Sequence, residues 1–537
     1  MKKTCAELLL ELLTAYRVDT VFGIPGVHTI ELYRSVGQYP LRHVTPRHEQ
    51  GAGFMADGYA RASGRPAACF IITGPGMTNI ATAMGQALAD SIPMLVISSV
   101  NRRATLGRGQ GRLHELPNQQ QTLSGVSVFS HTLHDPAALP EIIARAFAVF
   151  QGARPGPVHI EIPIDLFDAP VDVGEVRPIE VFPPAPAPQA VARAAKWLSQ
   201  ASRPLVLLGG GCVAASDAAR ALVDRLQAPA LTTINAKGVL GRNHPLDLGA
   251  TMSLPAARRL AAEADVVLAL GTELGETDYD LVFDEGFALT GRLIRVDIDP
   301  EQLGRNQRAD LALVADAGQT LEALLAALPK GQTQPRAGDD RAAATRQALA
   351  LEQDADLAPY VPLYATLDAA LPEAIIVGDS TGPVYAGNFL AARAAPRCYF
   401  NAATGYGTLG YGLPAALGAA IACPERPVVA LVGDGGLQFV LGELATARDL
   451  GQPVALLIWN NQGYDEIRRY MAMNEVDKLG VDLTAPHFEA LAQAFDCRYR
   501  AAGEPATLER AVGELYETAS PLVIEIDALS WMNAIAE

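Results

Sequence analysis

The stretch VVALVGDGGLQFVLGELATARDLGQPVALLIWNN, residues 428–461, decides the fold class of this protein. An apolar run ends at GDGG, a helical pattern LQFVLGELATARDL follows, and a second apolar run ends in two asparagines. Continuous apolar strands joined by a helix are typical of parallel sheets covered on both faces. Because the carboxyl ends of parallel strands lie side by side, the pattern predicts that Asp434 and Asn461 converge.

These two strand ends form a candidate site for a hard cation and a phosphate. A carboxylate, an amide oxygen and phosphate oxygens are the ligands that Mg²⁺ prefers. The glycines let the backbone approach a diphosphate, and the following helix directs its N–H groups there. Each half alone is weak evidence, since GDG is commonly a tight turn and NN commonly ends a strand. The ordered pair, with Asp434 and Asn461 27 positions apart and a strand before each, is far more specific.

The same alternation of apolar strand, glycine-rich or polar turn and helical pattern runs through the chain of 537 residues. ACFIITGPG, PLVLLGGG, DVVLALGTELG and AIIVGDSTG are examples. Two segments are predicted to be linkers: VFPPAPAPQA at 181–190, and LPKGQTQPRAGDD at 328–340, which a helix should follow to about Asp354. We therefore expect an α/β fold of three doubly wound parallel-sheet domains at 1–180, 190–328 and 355–537.

Composition excludes several classes of partner. The net charge is −17, without long blocks of like charge, which disfavours nucleic acid and anionic membranes. The six cysteines lie far apart without CxxC spacing and are expected to be reduced thiols of a cytoplasmic protein. The start, MKKTCAELLLELL, places Glu7 and Glu11 at helical spacing, so it predicts an amphipathic helix and not a signal peptide. No apolar run reaches the ~18–20 residues that a membrane-spanning helix needs.

With these motifs the sequence resembles, over nearly its whole length, the thiamine-diphosphate-dependent enzymes that carry a GDG…NN signature. It is most similar to their acetolactate-synthase-like branch, which includes 2-oxo acid decarboxylases and carboligases. The resemblance implies thiamine diphosphate and Mg²⁺ as cofactors, with Mg²⁺ held by Asp434, the side chain of Asn461 and the carbonyl of Gly463. Further contacts to the cofactor are expected from the loop VGDSTGP, the glycine turn and the residue after Gly463: Asp379, Ser380, Thr381, Gly382, Gly433, Gly435, Gly436 and Tyr464.

Two segments match the part of the family's site that holds the cofactor rings. In NAATGYGTLGYG (401–412), Leu409 stands where the family has a large apolar residue beneath the cofactor. Gly407 stands where a backbone carbonyl accepts a hydrogen bond from the aminopyrimidine. A lone leucine would be interpreted as core, but the flanking glycines favour the cofactor site. In FGIPGVH, Pro25 corresponds to one wall of the pyrimidine site.

The chemistry of this cofactor requires a carboxylic acid against the pyrimidine ring. Glu49, in RHEQGAGFMADGYAR, matches the family pattern and is expected to share a proton with a ring nitrogen. A glutamate at a helix start is otherwise explained by the helix dipole. In ITGPGMTNI (72–80), Thr73 and Pro75 are expected to face the pyrimidine, whereas Asn79 fits either the site or helix packing.

The resemblance also bears on assembly and on a second cofactor. The family builds its site between the first domain of one subunit and the third domain of another, which implies at least a homodimer and commonly a homotetramer. The middle part resembles the domain that holds FAD in acetolactate synthases. Because this chain reads TELGETD (272–278) where those enzymes usually have an arginine, we expect no FAD.

Polar groups near the reacting carbon are expected from His28, His114 and Gln119, which we assign as catalytic candidates beside Glu49. His28 matches a position that bears histidine in some carboligases. His114 and Gln119 lie in GRLHELPNQQQ (111–121), which fits a solvated loop equally well. The paired histidines typical of pyruvate decarboxylases are absent from this region.

The substrate prediction depends on NNQGYDEIRRY (460–470). Glu466 and Tyr470 stand where acetolactate synthases tend to have an apolar residue and a tryptophan. A carboxylate there suits a cationic tail, since a guanidinium binds a carboxylate through paired charge-assisted hydrogen bonds. The combination resembles the 5-guanidino-2-oxopentanoate decarboxylases of arginine catabolism. The resemblance implies that an amino-acid-derived 2-oxo acid, 5-guanidino-2-oxopentanoate, is converted to an aldehyde and CO₂.

Two alternatives stay open. The chain could be a carboligase, either an acetolactate synthase or a benzaldehyde-lyase-like enzyme, because the same cofactor machinery serves both outcomes. Alternatively, Asp465 and Glu466 merely favour a helix N-terminus and pair with the arginines that follow them.

Overall fold

The structure is a computed structural model that describes residues 3–279, 287–330, 337–352 and 357–536. Its chain forms two compact units. Unit 1 comprises Met1–Val181, Ile376–Thr381 and Asn401–Trp531, and unit 2 comprises Phe182–Ile375, Gly382–Phe400 and Met532–Glu537. Three parallel sheets with intervening helices confirm the predicted fold class. The first change of unit, after Val181, falls within the first predicted linker.

The N-terminal part of unit 1 consists of β1 (Lys3–Thr4), α1 (Cys5–Ala15), β2 (Thr20–Gly23), α2 (Ile30–Tyr33), β3 (Arg42–Val44), α3 (Glu49–Ser63), β4 (Ala68–Ile71), α4 (Pro75–Ala89), β5 (Met94–Val100), α5 (Gln119–Ser124), β6 (Phe129–Thr132), α6 (Leu139–Gly152), β7 (Pro157–Pro163) and β8 (Pro170–Val171). Six strands form a parallel sheet in the order β3-β2-β4-β5-β7-β6. The inner strands are buried along their length, as sheets covered on both faces require.

The first helix is amphipathic, as predicted. Its buried side includes Leu9 and Leu13, and a capping box fixes its start. Thr4 Oγ1 accepts the N–H of Glu7 at 3.2 Å, and the Glu7 carboxylate accepts the N–H of Thr4 at 2.8 Å. Within the described part of the chain, no helix combines the length and apolar character needed to cross a membrane.

The middle part, in unit 2, consists of α7 (Pro188–Gln200), β9 (Pro204–Leu208), α8 (Ser216–Leu226), β10 (Ala230–Thr232), α9 (Pro255–Glu263), β11 (Val266–Leu270), α10 (Glu276–Tyr279), β12 (Arg292–Asp297), β13 (Leu311–Val314), α11 (Ala317–Ala327) and α12 (Gly338–Glu352). Its sheet is parallel, in the order β10-β9-β11-β12-β13. The strand order reverses beside β9, between its neighbours β10 and β11.

Both linker predictions need a correction, since a helix begins inside each: α7 at Pro188 in the first and α12 at Gly338 in the second. The segment 181–190 is not linker throughout, because α7 begins at Pro188. A proline fits the first turn of a helix, where its missing N–H has no partner to lose. Of the second predicted linker, residues 331–336 lie outside the described residues, as do Asp354 and the predicted boundary at 355; the expected helix before them is α12.

The C-terminal part consists of α13 (Val361–Ala370), β14 (Ile375–Gly378), α14 (Gly382–Leu390), β15 (Tyr399–Asn401), α15 (Gly412–Ala422), β16 (Val428–Gly433), α16 (Asp434–Leu437), α17 (Glu443–Leu450), β17 (Val454–Asn460), α18 (Asp465–Met473), α19 (Phe488–Ala494), β18 (Arg498–Ala502), α20 (Pro505–Gly513), β19 (Leu522–Asp527) and α21 (Ala528–Ala536). Its six strands follow the order β15-β14-β16-β17-β19-β18. Strands β16 and β17 are parallel neighbours, with Gly433 opposite Trp459.

The helix predicted over 437–450 is interrupted. A short helix begins at Asp434 itself, a 3₁₀ turn follows at Gln438–Val440, and α17 begins only at Glu443. Glycines at 435, 436 and 442 lower the helix propensity of this segment. The GDGG segment thus stands at the carboxyl end of β16, where the short helix begins.

Within unit 1, helices α3 and α15 pack at backbone contact. A Cβ on Gly58 would lie 2.0 Å from the carbonyl oxygen of Ala415, and a Cβ on Gly418 would lie 2.0 Å from that of Met55. Each helix therefore needs a glycine where the other approaches it. The contact joins the first and third sheets of the same chain.

The six cysteines are free thiols in the structure, in agreement with the prediction. No disulfide joins the six, all of which lie among the described residues. Burial raises the pKa of Cys5 and of Cys212 to about 12, so these side chains stay protonated and unreactive at neutral pH.

Candidate active site

Three oxygen-bearing groups meet at the ends of β16 and β17, where the sequence predicted a metal site. Asp434 is fully buried, and its Oδ1 lies 3.3 Å from the backbone N of Asn461, which donates to it. One terminal atom of the Asn461 amide lies 2.8 Å from the carbonyl oxygen of Gly463 and 3.1 Å from Asp434 Oδ1. Asp434 Oδ2 is buried and has no hydrogen-bond partner among the residues that the structure describes. Burial raises the pKa of Asp434.

This cluster fits a small divalent cation. If the terminal atom is the amide nitrogen, it donates to both neighbours; if it is the oxygen, three acceptors face one another and need a cation between them. Octahedral Mg²⁺ at about 2.0–2.1 Å from its ligands would space neighbouring oxygens ~2.9 Å apart, close to the observed separations. The buried Oδ2 of Asp434, which has no hydrogen-bond partner among the described residues, also favours a bound cation.

The glycines around the cluster are required by packing. A Cβ on Gly463 would lie 2.3 Å from the carbonyl oxygen of Val481, and a Cβ on Gly435 would lie 2.7 Å from Cε1 of Tyr464. At Gly433 a Cβ would lie 3.1 Å from Thr381 Oγ1. The turn therefore lies directly against the loop predicted to contact the diphosphate.

The Asp379 carboxylate faces the protein interior. It accepts backbone N–H groups from Ser380 at 2.8 Å, Gly410 at 2.9 Å and Gly412 at 3.2 Å. Burial, opposed by these bonds, raises its pKa to about 6. The carboxylate thereby holds the 410–412 turn, and the expectation that Asp379 also contacts the diphosphate stays a prediction. Gly436 lies beside it, with a Cβ 3.4 Å from the carboxylate.

The remaining members of this predicted set are placed as follows. Thr381 is buried, Ser380 is half-buried, and Gly382 begins α14 in unit 2. Gly407 is exposed with φ +75°, and Leu409 is half-buried. Leu409 is thus not an ordinary core leucine in this chain, which favours the cofactor interpretation over the core one.

Glu49 is the first residue of α3, as predicted from the sequence. Its Oε2 accepts a hydrogen bond from Asn79 Nδ2 at 2.9 Å, and Oε1 lies over Gly76, where a Cβ would approach to 3.3 Å. Asn79 therefore contacts the candidate acid and does not serve only to pack its helix. Pro75 begins α4 and is exposed, as is Pro25 on the neighbouring loop.

His28 and His114 come together although 86 positions separate them in sequence. Their rings meet edge to face with centroids 5.3 Å apart, and His28 Nδ1 lies 3.0 Å from Thr73 Oγ1. Burial, assisted by the charge of His114, lowers the pKa of His28, which favours a neutral imidazole. Thr73 is fully buried and also bonds Ser99 Oγ at 2.9 Å.

The assignment of Gln119 as a catalytic candidate stays a prediction; in the structure its side chain bonds to groups of the protein. The side chain is buried, and its Oε1 accepts the N–H of Gly74 at 2.8 Å. Its Nε2 donates to Glu161 Oε2 and to Ser99 O, both at 3.0 Å. With donors and acceptor occupied, Gln119 holds the turn that precedes Pro75.

Sequence analysis missed the polar network beneath this turn. Ser98 Oγ lies 2.8 Å from His159 Nε2, and Thr132 Oγ1 donates to Glu161 Oε1 at 2.6 Å. Burial raises the pKa of Glu161 and lowers that of His159 to about 3. The signal was present in VHIEIP, where two ionisable residues interrupt a strand that is otherwise apolar.

The substrate candidates lie on the exposed helix α18. The Glu466 side chain is 55% exposed, and its Oε2 lies 4.0 Å from Arg469 Nη1, whereas Asp465 pairs with Arg468 at 3.0 Å. Tyr470 is 42% exposed. Asp465 thus fits the interpretation in which an acid merely pairs within its helix, while Glu466 keeps an exposed carboxylate.

Two clusters result, one in the first sheet domain and one in the third. The first contains Glu49, Asn79, Thr73 and the two histidines, and the second contains the Asp434 cluster. Among the described residues, the hydrogen bonds of Glu49 and Asp434 stay within their own clusters. Across the described part of the chain, no group of three or more His, Cys, Asp or Glu side chains is placed to hold a metal ion.

Comparisons with known proteins match the chain over most of its length. Three family models match, described as thiamine pyrophosphate enzyme, N-terminal TPP binding domain (residues 3–122), central domain (191–324) and C-terminal TPP binding domain (377–526). The chain is 46% identical to "Probable 2-ketoarginine decarboxylase AruI" of Pseudomonas aeruginosa, over 97% of this chain and 94% of that protein. It is 32% identical to "Acetolactate synthase large subunit" of Parasynechococcus marenigrum, over 97% and 87%. It is 31% identical to "Acetolactate synthase isozyme 1 large subunit" of Escherichia coli, over 88% and 84%.

Proposed function

The chain belongs to the thiamine pyrophosphate enzymes, and from that premise we propose that it decarboxylates 5-guanidino-2-oxopentanoate, the 2-oxo acid derived from arginine, to an aldehyde and CO₂. The observation that carries the proposal is the 46% identity, over 97% of this chain, to a protein named as a 2-ketoarginine decarboxylase. The exposed carboxylate of Glu466 supports it, because a guanidinium tail needs an acidic partner.

Thiamine diphosphate, when bound, supplies the nucleophilic carbon and the electron sink for loss of CO₂. Asp434, Asn461 and the carbonyl of Gly463 would hold Mg²⁺ against its diphosphate. We assign Ser380, Thr381 and the N–H groups of the glycine turn to the phosphate oxygens.

Glu49 moves the activating proton in this proposal. Asn79 fixes Oε2, which leaves Oε1, above Gly76, to exchange a proton with a ring nitrogen. Leu409 and Gly407 would support the rings. His28, held neutral by burial and oriented by Thr73, would act with His114 at the reacting carbon by donating or accepting a proton.

The site needs a second copy of the chain in this proposal. We infer that Glu49 of one subunit serves the metal cluster of another, so that a homodimer is the minimum and a homotetramer is the expected assembly. The proposal follows the family resemblance, in which the site lies between the first domain of one subunit and the third domain of another. The domain boundaries 1–180, 190–328 and 355–537 and a cytoplasmic location belong to the same proposal.

The middle domain is proposed to work without FAD. Gly209 and Gly271, at the ends of β9 and β11, are in contact, since a Cβ on Gly209 would lie 2.1 Å from the carbonyl oxygen of Gly271. Arg295, almost fully buried, donates to the carbonyls of Thr272 at 3.2 Å and of Arg305. Close contacts at these strand ends, where open α/β sheets bind dinucleotides, support the proposal.

A carboligase is the second candidate, favoured by identities of 32% and 31% to acetolactate synthases. A substrate panel tests both: the protein, supplied with thiamine diphosphate and Mg²⁺, is assayed with 5-guanidino-2-oxopentanoate, with pyruvate, and with pyruvate plus an aldehyde. The first proposal expects CO₂ and a guanidino aldehyde, with a higher kcat/KM than for pyruvate. Acetolactate or an acyloin as the main product would replace it with the carboligase.

A further inference from the structure

Unit 2 contains a cavity of about 370 Å³ that lies outside all the positions assigned so far. It is bordered by the loop after β10, by α12 and by the segment that follows α14. Its ionisable lining consists of one carboxylate, Asp247, and five basic residues: Lys237, Arg242, His244, Arg346 and Arg393. Such an excess of cations in a concave site is a feature of anion-binding sites.

The buried cations have unused hydrogen-bonding capacity. The Arg393 side chain is 1% exposed. Its Nη2 pairs with Asp368, but within the described parts of the chain Nε and Nη1 have no hydrogen-bond partner. A guanidinium keeps its charge under all ordinary conditions, so burying two of its donors without acceptors is unfavourable. Arg242 Nη2 also lacks a hydrogen bond, although it lies 3.3 Å from Asp368 Oδ1.

The carboxylates near Lys237 do not fully stabilise the charge of its buried ammonium group. Lys237 is buried, and its Nζ donates a hydrogen bond to the carbonyl oxygen of Ala391 at 3.2 Å. Burial, opposed by Asp247 and Asp278 and assisted by Arg393, lowers its pKa to about 8. The neighbouring carboxylates therefore do not balance the cost of burying this ammonium group.

Several contacts fix the backbone of the loop after β10, so the cavity has a defined shape. Arg346 Nη2 donates to the carbonyl oxygens of Pro245 at 2.8 Å and Asp247 at 3.2 Å. Gly238, with φ +84°, packs so closely that a Cβ would lie 2.1 Å from the carbonyl oxygen of Ala395. These contacts tie the loop to α12 and to the segment after α14.

We propose that this cavity binds a small phosphorylated molecule, with its phosphate between Arg393, Arg242 and Lys237. Phosphate oxygens would accept from the unpartnered guanidinium donors, a geometry that arginine matches well. Arg242, Arg346, Arg393 and the protonated form of Lys237 face Asp247, Asp368 and the more distant Asp278, so positive charge is in excess once Lys237 is protonated. At about 30 Å³ per water the cavity has room for roughly ten waters, more than inorganic phosphate alone fills.

The test uses the holoenzyme saturated with thiamine diphosphate and Mg²⁺, so that any diphosphate site is already filled. Calorimetric titration with inorganic phosphate, and separately with adenosine monophosphate, should show saturable binding with one site per chain. Tighter binding of the monophosphate identifies an organic phosphate as the ligand, and equal binding identifies free phosphate. Arg242→Gln and Lys237→Met should each weaken binding at least tenfold.

Arg193→Gln is the matched control, because it removes one positive charge from an exposed surface of the same unit. It should bind phosphate like the wild type. Absence of saturable binding to the wild type overturns the proposal, as does wild-type affinity in both cavity variants or an equal loss in the control.

A measurement on the wild type alone tests the proposal even if the cavity variants do not fold. Sulfate, which has no proton to exchange near pH 8, is titrated at that pH in two buffers of different ionisation enthalpy. Because Lys237 has a pKa of about 8 before the anion binds, binding should take up as much as about half a proton per site. Binding without proton uptake would contradict a site that contains Lys237. Since the substrate panel does not involve this cavity, its outcome is independent of these measurements.

Discussion

The carboxylate of Glu443 accepts the backbone N–H of His48 at 3.1 Å, and thereby holds the residue that precedes Glu49. The same oxygen, Oε1, accepts the N–H of Arg47 at 3.0 Å, and Thr446 donates to Oε2 at 2.7 Å. Glu443 is 1% exposed. A side chain of the third sheet domain thus fixes the start of the helix that carries the proposed acid of the first.

Glu443→Ala should therefore destabilise the protein by about 2–4 kcal/mol, because it leaves two N–H groups without an acceptor and opens a cavity. Glu443→Gln, which keeps one acceptor oxygen, should cost less. Urea unfolding measures both. Asp449→Ala is the control, since Asp449 pairs with Arg47 at the surface and should matter by less than about 1 kcal/mol. Equal losses in the alanine variants would show that the buried bonds are unimportant.

Glu49→Gln should abolish cofactor activation while sparing the fold. The amide cannot exchange a proton with the ring, so hydrogen–deuterium exchange at C2 of bound thiamine diphosphate, followed by NMR, should slow at least ~100-fold. Unfolding free energy should change little, because the amide still accepts from Asn79. Unchanged exchange would remove Glu49 from the mechanism.

Glu466→Gln should reduce kcat/KM for 5-guanidino-2-oxopentanoate by roughly 10–100-fold, the value of one charge-assisted pair. Turnover of 2-oxohexanoate, which has an uncharged tail, should not fall. Asp465→Asn is the matched control, since Asp465 already pairs with Arg468. Parallel loss on both substrates would mean that Glu466 supports the helix and does not select the tail.

Gly74→Ala should disrupt the turn before Pro75. Gly74 has φ +73°, and a Cβ would lie 2.3 Å from the carbonyl oxygen of His114. Gly111→Ala isolates the backbone strain, because Gly111 has φ +65° but no atom within 4 Å of its Cβ position. We expect the control to cost about 1 kcal/mol and Gly74→Ala at least twice that, by thermal unfolding. A similar loss of stability in both variants would show that the loop containing His114 moves away without a free-energy penalty.

His159 should make the protein acid-sensitive. Its folded pKa is about 3 against an ordinary 6.5, so below pH 6.5 the unfolded chain binds a proton that the folded chain does not. Stability should then fall by about 1.4 kcal/mol per pH unit from this group alone. His159→Gln removes that contribution, so its stability relative to the wild type should improve by ~2 kcal/mol between pH 7 and 4.5. Urea unfolding at both pH values measures it, and a constant difference contradicts the assignment.

Features set by strand order were predictable from the sequence. Asp434 and Asn461 meet because consecutive parallel strands with a short crossover place their carboxyl ends together. Glu49 begins a helix because it follows an extended segment and precedes a run of small residues. In both cases local pattern alone determines which residue stands at the end of the element.

Features set by side-chain direction were not predictable. Gln119 looked like a loop residue, yet its side chain turns inward to Gly74 and Glu161, residues 45 and 42 positions away. Asp379 follows a strand like Asp434, but its carboxylate binds backbone N–H groups of the 410–412 turn. Nothing in the local pattern distinguishes these two aspartates, because burial and partners come from segments distant in the chain.

The packing of α3 on α15 also bears on the evolutionary origin of the two domains. The first and third sheets share one strand order, in which the second strand of each set precedes the first and the sixth precedes the fifth. The helices that join them meet through reciprocal glycines, Gly58 and Gly418, each against the backbone of the other. Duplication and fusion of one ancestral domain would leave this arrangement, with a former contact between subunits preserved inside a single chain. In the proposed function, one copy provides the acid and the other provides the metal ligands.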